Sequence, residues 1–87
     1  MELPGHELIE VGVEDLRRGE ETVEALLVSI GATRLRSVGV HVHDPFASAE
    51  VRLYELLRSE HGDDAYGRYN ALIRRLVSFE RAAECAS

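Results

Sequence analysis

Few residues in this chain have side chains that could do chemistry. His41 and His43 stand one residue apart in the stretch GVHVHDPF, residues 39–46, and Asp44 and Pro45 follow at once. On a helix, positions i and i+2 point about 200° apart, so two such imidazoles can face one ion only on extended backbone. Pro45 favours that geometry, because a proline pushes the residue before it out of the helical region. Imidazole pairs of this kind suit a divalent transition metal. A zinc site wants four ligands, however, and the only other histidines are His6 and His61, distant in sequence. The same residues have a plainer use. Asp44 can cap the start of a helix with Pro45 in its first position, which consumes the carboxylate. A helix entrance is therefore the leading reading, and a metal on His41 and His43 is the alternative.

The rest of the chemical inventory is sparse. Cys85 is the single cysteine, so no internal disulfide forms. All ten basic residues are arginines, which removes Schiff-base lysines and the phosphate-binding lysine of a nucleotide loop. No nucleophile elbow, phosphate loop, dinucleotide fingerprint or H-E-x-x-H motif occurs. The segment YGRYN, residues 66–70, sets Tyr66 and Tyr69 beside Arg68 and Asn70 in one helical turn. Such groups can line a ligand or partner site, though tyrosines at this spacing more often edge a core. Gly67 inside that turn suggests close approach of another backbone, or a frayed first turn. The expectation is a protein that is not an enzyme and needs no cofactor.

Something must position these residues, and the 87-residue length and 45% apolar, 30% charged composition fit one folded domain over residues 1–87. Five segments organise it. Residues 1–13 carry the breaker pair Pro4-Gly5 and the alternation Ile9, Val11, Val13, which suits a loosely attached arm or a short strand. From Glu20, helical spacing appears in Val23, Leu26, Leu27 and Ile30, with Glu20, Glu21 and Glu24 near the positive end of the dipole. A short helix follows, with Thr33 as its cap, Leu35 and Val38 inward, and Gly39-Val40 as a left-handed stop of the Schellman type.

The last two helices read more clearly. Phe46, Ala49, Leu53 and Leu56 mark one, with Val51, Tyr54 and Leu57 beside the seam, and Gly62 ends it. Ala65, Tyr69, Leu72, Leu76, Phe79 and Ala83 mark the other, spaced alternately four and three apart. The short link between them predicts an antiparallel helical hairpin. The fold class expected is mostly α, a bundle of three to four helices ending in that hairpin. The alternative is α+β, with strands near 8–13 and 33–43 forming a short βαβ-like unit at the N-terminus.

Charge narrows the partners. The net charge is −6, and residues 1–30 carry half of the sixteen acids against two arginines. That balance disfavours a nucleic-acid backbone. The N-terminus MELPGHELIE has neither the basic start nor the apolar stretch of a secretion signal, and no run approaches the roughly 20 apolar residues of a membrane span, so a cytoplasmic location is expected. On the last helix, Tyr66, Ile73 and Val77 form a stripe beside the seam, making an apolar face wider than one hairpin partner covers. Tyr66, Tyr69, Ile73 and Val77 are therefore the candidate contacts to a second copy or to another protein. The function expected is a small helical interaction module, a homodimer or an accessory subunit of a larger protein. The alternatives are a metal- or small-molecule-binding protein using His41 and His43, and a trihelical DNA-binding module.

Overall fold

A computed structural model describes residues 3–86, and every described element is helical. Helix α1 spans His6–Arg17, α2 Val23–Ile30, α3 Ala32–Ser37, α4 Ala49–His61 and α5 Ala65–Ala86, with a single 3-10 turn at Gly62–Asp64 joining α4 to α5. Helix α2 is the centre of the molecule. It packs against α1 on one side and α4 on another, with α3 and α5 also in contact. Its Ala25, Leu26, Leu27, Val28 and Ser29 are all buried, which is what a short helix apolar around most of its girth requires. Leu35 of α3 and Leu53 of α4 complete the most deeply buried set. From α5, Leu76, Phe79 and Ala83 close the core.

The mostly-α bundle with its C-terminal hairpin is therefore the architecture. The strand alternative falls, because no strand occurs among the described residues. The expected arm at 1–13 is also corrected, its first two residues lying outside the described range. Residues 6–13 form the greater part of α1, which docks on α2 through Ile9, Gly12 and Leu16. Gly12 is the reason the two helices can approach so closely. A methyl group there would lie 2.5 Å from Val28 Cγ2 and would collide with the Glu24 carbonyl oxygen.

Helix boundaries shift where side chains supply caps. Helix α2 starts at Val23 rather than Glu20, because Thr22 Oγ1 accepts the Ala25 N–H at 3.1 Å. The same hydroxyl donates to Asp15 Oδ2 at 2.8 Å, tying α1 to the start of α2. Helix α3 is preceded by Gly31, not capped by Thr33. Its end matches the expectation: the Val40 N–H donates to the Leu35 carbonyl, the Gly39 N–H donates to the Arg36 carbonyl, and Gly39 has φ +92°.

Helix α4 starts at Ala49, four residues later than the start expected at Pro45, so Asp44 caps nothing. Asp44 sits in the left-handed region at φ +45°. The cause is tertiary. The Phe46 N–H is taken by the buried Ser29 Oγ at 3.0 Å, and the Arg52 guanidinium lies over the Phe46 ring, 5.2 Å from its centroid. The chain is thus pinned to α2 before it turns into α4.

Candidate functional site

His41 and His43 lie in a strap of irregular backbone, residues 40–43, between α3 and the bend at Asp44. Val42 between them is buried, and both histidines are exposed. Two hydrogen bonds hold the strap: Arg36 Nε and Nη2 donate to the Val42 carbonyl at 3.1 and 2.8 Å. The backbone therefore turns both imidazoles outward. His43 Nε2 is 3.2 Å from Asp44 Oδ2. The hollow beside them, of about 330 Å³, is lined by Arg36 and the strap itself. Among the described residues, no group of three or more His, Cys, Asp or Glu side chains is placed to hold a metal. His6 instead pairs with Glu10 at 2.8 Å on α1, and His61 ends α4.

The open face of the α4–α5 hairpin offers more. Tyr54 of α4 and Tyr69 of α5 meet edge to face, with ring centroids 6.1 Å apart. Val51 and Tyr66 flank them and are 58% and 68% exposed, the most exposed large apolar residues of the described chain. Together with Glu50, Glu55 and Asn70 they line a groove of about 570 Å³. Burial, with the Glu50 carboxylate beside it, holds the Tyr69 hydroxyl above the usual phenol range, so Tyr69 stays protonated and can donate a hydrogen bond.

Of the four contact residues expected from sequence, the groove unites Tyr66 and Tyr69. Ile73 and Val77 lie farther along α5 and are half-buried, Ile73 against the core. Val51 and Tyr54 were not among the residues expected. Their signal was position: both sit beside the α4 seam rather than on it, and Val51 stands next to Glu50.

Two further groups bear on chemistry. Glu80 is a buried carboxylate. Burial pushes its pKa up, Arg34 at 4.0 Å opposes that shift, and Glu84 adds to it. It packs against Leu76 and the Gly31 backbone, where a β-carbon would come within 2.8 Å of its Oε2, so it is enclosed rather than presented to a ligand. Cys85 is exposed near the end of α5. No helix of the described residues is long and apolar enough to cross a membrane.

Fold and surface together define a small all-helical bundle with an aromatic groove on its terminal hairpin. No protein-family model, curated protein or solved structure matches the chain.

Proposed function

We propose that this chain is a non-enzymatic helical interaction module, acting as a homodimer or as an accessory subunit, and that it binds through the groove between α4 and α5. The observation that carries the reading is the placement of Val51 and Tyr66, both more than half exposed, around the Tyr54–Tyr69 pair. Tyrosines offer large apolar area with a hydroxyl that can stay wet, which is why aromatic residues are enriched at interfaces. A contiguous apolar groove rimmed by polar residues is the usual mark of such a surface.

A second copy suits this groove. Glu50 and Glu55 line it, and Arg58 stands one turn beyond Tyr54 on the same face of α4. Two α4 helices laid antiparallel across a two-fold axis would set each Arg58 near the acids of the other copy. Sedimentation of the purified chain over rising concentration tests this. A monomer–dimer equilibrium is expected, abolished by Val51→Glu or Tyr66→Glu with helix content retained. A photocrosslinker placed at Tyr66 in the native cell tests the accessory-subunit form. A chain that stays monomeric and gives no protein adduct there defeats both forms.

A further inference from the structure

We propose that a second cleft, separate from the tyrosine groove, binds a small monocarboxylate with an apolar body. Its floor is Val23 of α2, Leu57 of α4 and Leu72 of α5, and its rim carries His61, Arg68 and Arg75. At about 100° per residue, Arg68 and Arg75 fall on the side of α5 opposite Tyr66 and Asn70, so the two sites share no surface.

The two ends of the cleft differ. At one end Arg75 Nη2 is committed to Glu7 Oε1 at 2.6 Å. At the other, no carboxylate stands within ion-pair distance of Arg68 among the described residues, and the His61 imidazole lines the same cleft with Glu60 Oε1 at the 4.0 Å limit of a pair with its Nε2. An arginine fork above an apolar floor recognises a carboxylate in bidentate fashion, and an imidazole N–H can add a third donor. One unpaired guanidinium matches one negative charge. A dianion would add uncompensated charge to a chain already at −6.

Size sets the body of the ligand. The cleft holds about 270 Å³, just below the roughly 300–1,000 Å³ of pockets for drug-sized ligands. The seven helical steps from Arg68 to Arg75 span about 10 Å. A chain of about six carbons, or a single ring, fills that length over Val23, Leu57 and Leu72 with its carboxylate on Arg68.

This proposal does not depend on the interaction reading of the groove, and its test reads different residues. Methyl spectra of the full chain are recorded during titration with hexanoate, and separately with hexanol, hexylammonium, benzoate and a tripeptide ending in leucine. Saturable shifts of Val23, Leu57 and Leu72 are expected with hexanoate. Hexanol should bind at least tenfold more weakly, and hexylammonium should leave these methyls unmoved. Arg68→Gln should weaken hexanoate about tenfold, equivalent to about 1.4 kcal/mol, with the melting temperature unchanged, and Arg68→Lys should fall between. Arg68 is exposed, so its replacement leaves the fold intact. Hexanol binding as tightly as hexanoate, an Arg68→Gln variant of unchanged affinity, or no saturable shift with hexanoate or benzoate each overturns the proposal. Tighter binding of the tripeptide than of hexanoate assigns the cleft to a chain terminus and overturns it as well.

Discussion

At the scale of single residues, two buried polar groups make opposite demands on the fold. Ser29 is satisfied twice: its hydroxyl donates to the Ala25 carbonyl at 2.8 Å and accepts the Phe46 N–H at 3.0 Å. It is the pin that joins the loop before α4 to the central helix. Ser29→Ala leaves the Phe46 N–H without its acceptor, and an unsatisfied donor of this kind costs about 1–3 kcal/mol. Denaturant unfolding should show that loss as a lower midpoint at an unchanged slope. Glu80 is the contrary case, because its burial outweighs the attraction of Arg34. Its folded pKa lies above the ordinary carboxyl value, so the folded state holds the proton more tightly than the unfolded state does. That contribution to stability is fully present below the unfolded pKa and is lost as pH rises through the folded pKa. Glu80→Gln should therefore be more stable than the parent near neutral pH, and the difference should close on acidification through the carboxyl range. Arg34 keeps a partner in the variant, since its Nη2 is 2.6 Å from Glu84 Oε1. Melting temperatures of both proteins from acid to neutral pH check this, and a gap that does not change with pH contradicts it.

At the scale of elements, the two glycines inside helices predict opposite outcomes. Gly12 lies where α1 crosses α2, and a β-carbon there meets the Glu24 backbone, which cannot swing aside as a side chain can. Gly12→Ala should cost about 3 kcal/mol as overpacking at a helix crossing. Gly67 has nothing within 4 Å of its would-be β-carbon. The close backbone approach suggested by its place in the sequence does not exist, and Gly67→Ala should stabilise α5 by up to about 1 kcal/mol. Thermal unfolding of the two variants beside the parent reads both signs at once. The same pair shows what sequence can and cannot disclose. The hairpin, the seam of α5 and the Gly39-Val40 stop of α3 were legible, because each depends on spacing or on one local backbone conformation. Helix α1 was not, because Gly12 removes a side chain from the buried stripe and leaves Ile9, Val11 and Val13 reading as a strand. The start of α4 was not legible either, because a hydroxyl seventeen residues away sets it. The groove was half legible: Tyr66 and Tyr69 announce themselves by type, but Val51 and Tyr54 become part of the site only when α4 is folded against α5.

At the scale of the whole molecule, the surface area decides what kind of assembly the groove can support. A folded monomer of 9.7 kDa is expected to expose about 5,100 Å², and this chain exposes 5458 Å². Its Cα radius of gyration of 12.4 Å sits beside the roughly 12 Å expected of a compact domain of this length. The chain thus buries a monomer's share of its own surface, and the five most deeply buried large side chains are enclosed by α1 to α5 without help. An obligate dimer built as one core cut in half would expose far more when taken alone. The assembly proposed for the groove should therefore dissociate into folded monomers, not unfold as it separates. Diluting the chain in a scattering experiment should lower the radius of gyration toward the monomer value while far-UV circular dichroism keeps its helical signal. The melting temperature should depend only weakly on concentration, because association adds no more than its mass-action increment to a monomer that is already stable. Val51→Glu should give the dilute, monomeric scattering curve at every concentration and melt close to the diluted parent, because Val51 is exposed in the monomer and touches none of its core. Leu53→Glu, which places a charge at a fully buried position of the same helix, should instead lose the helical signal itself. Loss of helix on dilution of the parent chain would show that the groove is half of a core and that the monomer does not stand alone.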